Sequence, residues 1–246
     1  MPGDPLAAKP GRRRERKIHV RIIDLSQEIY SGMPQRFFAG PVPSVFDNGI
    51  RITPDYQAVD DCCILQNHLG THVDAPRHYN PRDGLAMHQV PLEHFVTQAV
   101  VLDLRHKNPR SEITVADLEQ AMANANEHIA PAEGVLLHVG MGNKYRTWTT
   151  ERWWESEYGQ PPYLDEEGVR WLLDKQIGIL GIDAIAPDAP ADRPAHRILL
   201  REHGVPIIEN LCNLERLSRP RILLIALPPK VVGAGGFPVR AVAVEA

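Results

Sequence analysis

Residues 134–140 read GVLLHVG. The apolar positions are consecutive rather than alternating, and glycines close both ends of a run too short for a packed helix. That combination predicts a strand covered on both faces, as in the parallel part of an α/β sheet. Working outward, comparable runs recur at HVRIIDLS (19–26), QAVVLDLR (98–105), IGILGIDAI (177–185), VPIIENL (205–211), ILLIALP (222–228) and VRAVAVE (239–245). Helical stretches separate several of them. Thr114, with Asp117 three residues on, has the spacing of a capping box opening VADLEQAMANAN. DEEGVRWLLDKQ (165–176) carries acidic residues where a helix dipole is positive. PAHRILLREHG opens at Pro194 and stops at Gly204, a residue suited to a left-handed helix end.

This alternation predicts a single α/β domain with a mixed sheet over residues 18–246, its part before residue 98 Pro-rich and irregular. Residues 1–17, with the basic run from Arg12 to Lys17, read as a flexible tail. A net charge of -4 gives no electrostatic reason to expect nucleic acid or an anionic membrane as partner. No window is long and apolar enough to span a bilayer, and no apolar stretch follows the basic run as a secretion signal requires. Three cysteines, two of them adjacent (Cys62 and Cys63), make no disulfide framework and point to reduced thiols and a cytoplasmic location. The four tryptophans lie between Trp148 and Trp171. Residues 143–163 read as a long loop whose aromatic side chains, Trp148 among them, suit an apolar substrate, a subunit contact or packing onto the core.

The chemistry concentrates at residues 67–78, NHLGTHVDAPRH. His68 and His72 are four apart, as in a helical zinc-protease motif, but Gly70 between them, Pro76 beyond and the absence of the required Glu argue against a helix. A turn at Gly70 entering an extended segment sends His72 and Asp74 to one side, and a bend at Leu69–Gly70 brings His68 to join them. Two imidazoles and a carboxylate suit zinc or manganese and not an all-oxygen calcium site. His78, held near by the stiff Pro76, is placed to accept and return a proton near neutral pH. The Thr71 hydroxyl is a candidate for orienting a ligand.

The stretch resembles the HxGTHxDxPxH signature of the metal-dependent cyclase/hydrolase family of kynurenine formamidase-like and isatin hydrolase-like enzymes. His68, Gly70, Thr71, His72, Asp74, Pro76 and His78 carry the match. Fainter similarity runs through IDLSQEIYSGMP, YLDEEGVRWL, GIDAIAPD, HRILLREHGVPIIENLCNL and LPPKVVGAGGFPVRAVAV. The resemblance implies a swivelling β/β/α fold assembled as a homodimer or higher oligomer. It implies a first metal on His68, His72 and Asp74, with His78 as proton shuttle. It also implies that His196 and Glu209 complete a second site bridged by Asp74, so one ion per chain, or two, is expected. The spacing from His196 to Glu209 is one residue longer than the family pattern. Glu209 also stands out unaided, because a carboxylate inside the apolar run VPIIENL needs a partner if buried. GMPQRFFAG lacks the tryptophan-containing stretch of kynurenine formamidases, which makes Arg36, Phe37 and Phe38 candidates for shaping a different pocket.

The function these residues imply is metal-dependent hydrolysis of an amide, cyclic amide or lactone in a small aromatic substrate. The alternative is a cyclase or dehydratase of a polyketide-type pathway, which needs the same Lewis acid and base. A non-catalytic, metal-dependent ligand-binding protein is the third reading, and His78 argues against it, since ligand capture needs no proton shuttle.

Overall fold

GVLLHVG forms the centre of the structure, a computed structural model that describes residues 20–30, 33, 44–45, 49–53, 56–60, 63–147, 159–189 and 192–245. The main sheet has nine strands. In chain order they are β1 (Arg21–Asp24), β2 (His72–Asp74), β3 (Val96–Asp103), β4 (Gly134–His138), β5 (Ile179–Ile182), β6 (Ile207–Glu209), β7 (Arg221–Ile225), β8 (Gly236–Pro238) and β9 (Val242–Glu245). Across the sheet they lie β1-β9-β7-β3-β4-β5-β6-β2-β8. The four in the middle, β3 to β6, run parallel, and the flanking strands pair antiparallel. Every residue of β4 is buried, as its unbroken apolar run requires.

All seven runs read from the sequence are strands of this sheet. The other two are three residues long: β2 is the extended segment read after Gly70, and β8 is the one that pattern reading passed over. Gly236 and Pro238 make β8 look like a loop, and proline is tolerated there because β8 is an edge strand. The segment before residue 98, read as irregular, contains a hairpin of Gly49–Thr53 with Tyr56–Asp60. The tail 1–17, Cys62, the pocket candidates Arg36, Phe37, Phe38 and Trp148, and Trp153 and Trp154 lie outside the described residues.

Residues 239–241 alone separate β8 from β9, yet these strands sit near opposite edges of the sheet. The sheet must therefore curl. Two bonds draw its edges together: Cys212 N–H, just past β6, donates to the Leu25 carbonyl, just past β1, at 2.9 Å, and Gln27 N–H donates to the Thr71 hydroxyl, just before β2, at 2.8 Å. Alternation along β3 then fills two cores. Ala99 and Val101 join Ile23, Val73, Leu136 and Ile208 inside the curl, while Val100 and Leu102 join Val135, Leu180 and the helices outside it.

The helices cover that outer face. Helix α1 (Val115–Ala125) opens with the Thr114–Asp117 capping box; the Thr114 N–H donates to Asp117 at 2.9 Å. Helix α2 (Glu166–Asp174) is capped by Asp165, which accepts from Gly168 N–H at 2.6 Å. A third helix starts near Pro194 and is π-wound over His196–Glu202. It ends at Gly204, where φ is +70°. Its i→i+5 turns are wider than those of an α-helix. Among the described residues, no helix is long and apolar enough to cross a membrane.

Candidate metal centre

The sheet register builds the site. β2 lies between β6 and β8, with His72 opposite Glu209 and Asp74 opposite Gly236. Directly opposed residues of antiparallel strands share a face, and so do residues two apart on one strand. His72, Asp74 and Glu209 therefore project together, toward the helix side of the sheet. The π-wound helix crosses above them and lowers His196 onto the same point. Its ring Nε2 is 3.4 Å from Asp74 Oδ2 and 3.5 Å from Glu209 Oε1. His72 Nε2 approaches from the other side, 3.4 Å from Asp74 Oδ1 and 3.5 Å from Glu209 Oε2. Gly70, with φ +55°, makes the turn that sends His68 back to within 2.6 Å of Asp74 Oδ1 through Nδ1.

After β2, Pro76 begins a 3₁₀ turn ending at His78. The turn folds His78 back over the cluster, with ring centroids 4.0 Å from His68 and 5.8 Å from His196. His78 is thus closer than its sequence spacing suggested. Two overlapping ligand sets result, His68–Asp74–His78 and His72–Asp74–Glu209, each with its ligand atoms within 4.8 Å of one another. Asp74 is common to both.

The polar atoms here are not satisfied by the protein. His72 Nε2, both oxygens of Asp74 and Glu209 Oε1 are buried and make no hydrogen bond of normal geometry among the described residues, although His68 Nδ1 lies close to one Asp74 oxygen. Each such group costs on the order of 1–3 kcal/mol if nothing meets it, and more if charged. Their convergence on one point, with nitrogen and carboxylate donors and no thiolate, fits a divalent first-row cation.

Electrostatics divides the histidines. Burial disfavours a charged ring at His72, but the carboxylates of Asp74 and Glu209 outweigh it and raise its pKa to about 10. At His196 burial is likewise outweighed, by Asp188 and Asp74, and the pKa again rises to about 10. Burial alone would raise the Asp74 carboxyl, yet His68 first and then His196 and His72 hold it well below the usual range. His78 goes the other way: burial pushes it down to about 4, helped by His68 and His196 and opposed by Asp74. It is neutral at pH 7.

A consequence follows for metal uptake. In the metal-free chain at pH 7, His72 and His196 each hold a proton that a cation must displace, so affinity rises as pH rises toward 10 and falls on acidification. Calorimetric zinc titrations in buffers of different ionisation heat should show release of about one to two protons at pH 7. Heats independent of buffer would contradict the assignment.

The sequence reading did not identify three further residues that shape the centre. Asp188, in GIDAIAPD, is buried against His196 Nδ1. An acidic residue within an apolar run was the available signal, the same one that exposed Glu209. Gly236 is the second: a Cβ there would lie 2.8 Å from His68 Cε1 and 2.9 Å from the Val73 carbonyl oxygen. Gly236→Ala should displace His68 and weaken metal binding by roughly 10- to 100-fold, the scale of disturbing a ligand's support. Competition with a chromogenic chelator measures it, and unchanged affinity would exclude a spacing role for Gly236. Asn210 is the third, donating to the Gly70 carbonyl at 3.0 Å. That oxygen also lies 2.9 Å from His72 Nδ1. The Thr71 hydroxyl, a candidate for orienting a ligand, donates to the Asn210 carbonyl at 2.6 Å and accepts from Gln27 N–H at 2.8 Å. It fixes backbone beside Glu209.

Comparison with known proteins agrees with this construction. Residues 23–189 match the model of the Cyclase family, described as "Putative cyclase". A kynurenine formamidase from Delftia acidovorans (strain DSM 14801 / SPH-1) is 32% identical over 224 residues, spanning 90% of this chain and 96% of that one. A solved structure described as a predicted metal-dependent hydrolase from Bacillus stearothermophilus is 27% identical, with a TM-score of 0.67 over 92% of this chain and 99% of the other. Isatin hydrolase A from Labrenzia aggregata shares the fold, with a TM-score of 0.75 at 23% identity over 92% and 93% of the two chains. The family model spans the HxGTHxDxPxH motif and the curated relative spans nearly the whole domain, so this chain belongs to the Cyclase family.

Proposed function

We propose that the chain is a metal-dependent hydrolase that opens an amide or cyclic amide in a small aromatic substrate. One observation carries the reading: buried, unpartnered donor atoms of His72, Asp74 and Glu209 converge beside a neutral imidazole, His78. The similarity to a kynurenine formamidase and to a structure described as a metal-dependent hydrolase supports the reaction class. His68, His72 and Asp74 would hold a zinc or manganese ion, and His196 and Glu209, with Asp74 between, a second one. A cation so held supplies Lewis acidity, polarising a carbonyl and acidifying water.

The remaining work falls to the chain. His78, uncharged at neutral pH, takes the proton of the attacking water and returns it to the departing nitrogen. Asp74 and Glu209 keep His72 and His196 pointed at a common centre. Arg36, Phe37, Phe38 and Trp148 are proposed to form the substrate pocket. Residues 18–246 are read as the active unit, working as a cytoplasmic homodimer or higher oligomer.

The test is turnover by chelator-stripped protein reloaded with zinc or with manganese. The panel comprises an N-formyl arylamine, an isatin-type cyclic amide, an aryl lactone and an open-chain polyketide. Hydrolysis of an amide only after reloading supports the proposal. Reaction of the polyketide alone would favour the cyclase reading, and fully loaded protein inert on the whole panel would point to ligand binding without catalysis.

A further inference from the structure

His72 and His196 approach Asp74 and Glu209 from opposite sides, but their outer nitrogens meet different partners. His72 Nδ1 lies 2.9 Å from the Gly70 carbonyl oxygen, a neutral acceptor. His196 Nδ1 instead contacts Oδ2 of Asp188, a carboxylate 4% exposed. Asp188 follows the end of β5, where the chain turns toward the π-wound helix. The same carboxylate accepts the Ala195 N–H on Oδ1 at 2.6 Å and the His196 N–H on Oδ2 at 3.2 Å. These are orphan donors at the start of the helix, so one side chain ties down both the helix end and the ring.

This arrangement settles which nitrogen His196 can offer. A neutral ring that keeps its proton on Nδ1 carries its lone pair on Nε2, and Nε2 is the atom facing Asp74 and Glu209. Rotation of the ring is blocked on another side by Tyr79, whose ring centroid is 4.7 Å away. A carboxylate behind a ligating imidazole fixes its tautomer and raises its basicity.

The geometry points to Asp188 as the positioning residue that commits His196 to ligation through Nε2, an inference that rests on the metal-centre reading above. Asparagine is the informative replacement. It has one acceptor oxygen, so it cannot serve the Ala195 N–H and the His196 Nδ1–H together, and its amide N–H₂ opposes one of them.

The test uses full-length protein labelled with ¹⁵N-histidine and loaded with zinc, with His196→Gln identifying the His196 signals. In the wild type, His196 should show a protonated Nδ1 and a ligating Nε2. In Asp188→Asn that pattern should be lost, and zinc affinity, measured by chelator competition on folded protein, should fall roughly 10- to 100-fold. A wild-type spectrum with His196 protonated at Nε2 overturns the inference without any variant having to fold. So does an Asp188→Asn protein with lower thermal stability but unchanged affinity and tautomer, since Asp188 would then be a helix cap alone. If His196→Gln itself leaves zinc affinity unchanged, His196 is not in the centre, and the fault lies with the metal assignment rather than with Asp188.

Discussion

Asp74→Asn should strip the protein of metal and lower amide hydrolysis by roughly 100- to 1000-fold, the scale of removing an electrostatic stabiliser from a reacting centre. Asp74 is the hub of the cluster, within 2.6 Å of His68 and 3.4 Å of both His72 and His196. Asparagine keeps its size and shape, so packing around β2 changes little while the charge disappears. The loss also acts on the neighbours: after the opposing effect of burial, Asp74 is a leading cause of the raised pKa at His72 and a further one at His196. Metal content per chain and circular dichroism, measured on the same sample, separate loss of ligation from loss of fold. Retention of a full complement of metal would remove Asp74 from the centre.

His78→Ala should behave in the opposite way, keeping the metal and losing the rate. Proton transfer by a positioned side chain contributes ~100- to 10,000-fold, and kcat should fall within that range with little change in KM. Burial, the main cause of its pKa of about 4, keeps His78 in its basic form at every pH from the mildly acid upward. Its geometry permits a rival role, because its ligand atom shares a 4.8 Å set with those of His68 and Asp74. The two roles part cleanly. Metal retained with slow turnover supports the shuttle, whereas metal lost together with activity makes His78 a ligand, and near-normal turnover excludes both.

The main lines of the fold could be read from local pattern. Runs such as GVLLHVG and IGILGIDAI are strands because they are covered on both faces, and Thr114, Asp165 and Gly204 cap helices through short-range chemistry. What escaped depends on distant partners. β8 is held by register against β2, and three residues of which two are Gly and Pro carry no periodicity of their own. At the site, His68, His72, Asp74 and His78 stood out because they are close in sequence. Glu209 stood out because charge is out of place in an apolar run. His196 was reached through family resemblance, since one histidine on a helix has no local signature. Asp188 passed unnoticed because its partner lies eight residues away on a different element. Gly236 passed unnoticed because only the folded β8 shows that a Cβ would strike His68.

Elemental analysis of the wild-type protein purified without chelator decides whether these residues form a metal centre. At least one equivalent of zinc or manganese per chain is expected, and two if His196 and Glu209 hold an ion of their own with Asp74. Protein that contains neither metal, and binds neither when titrated at neutral pH, would contradict it.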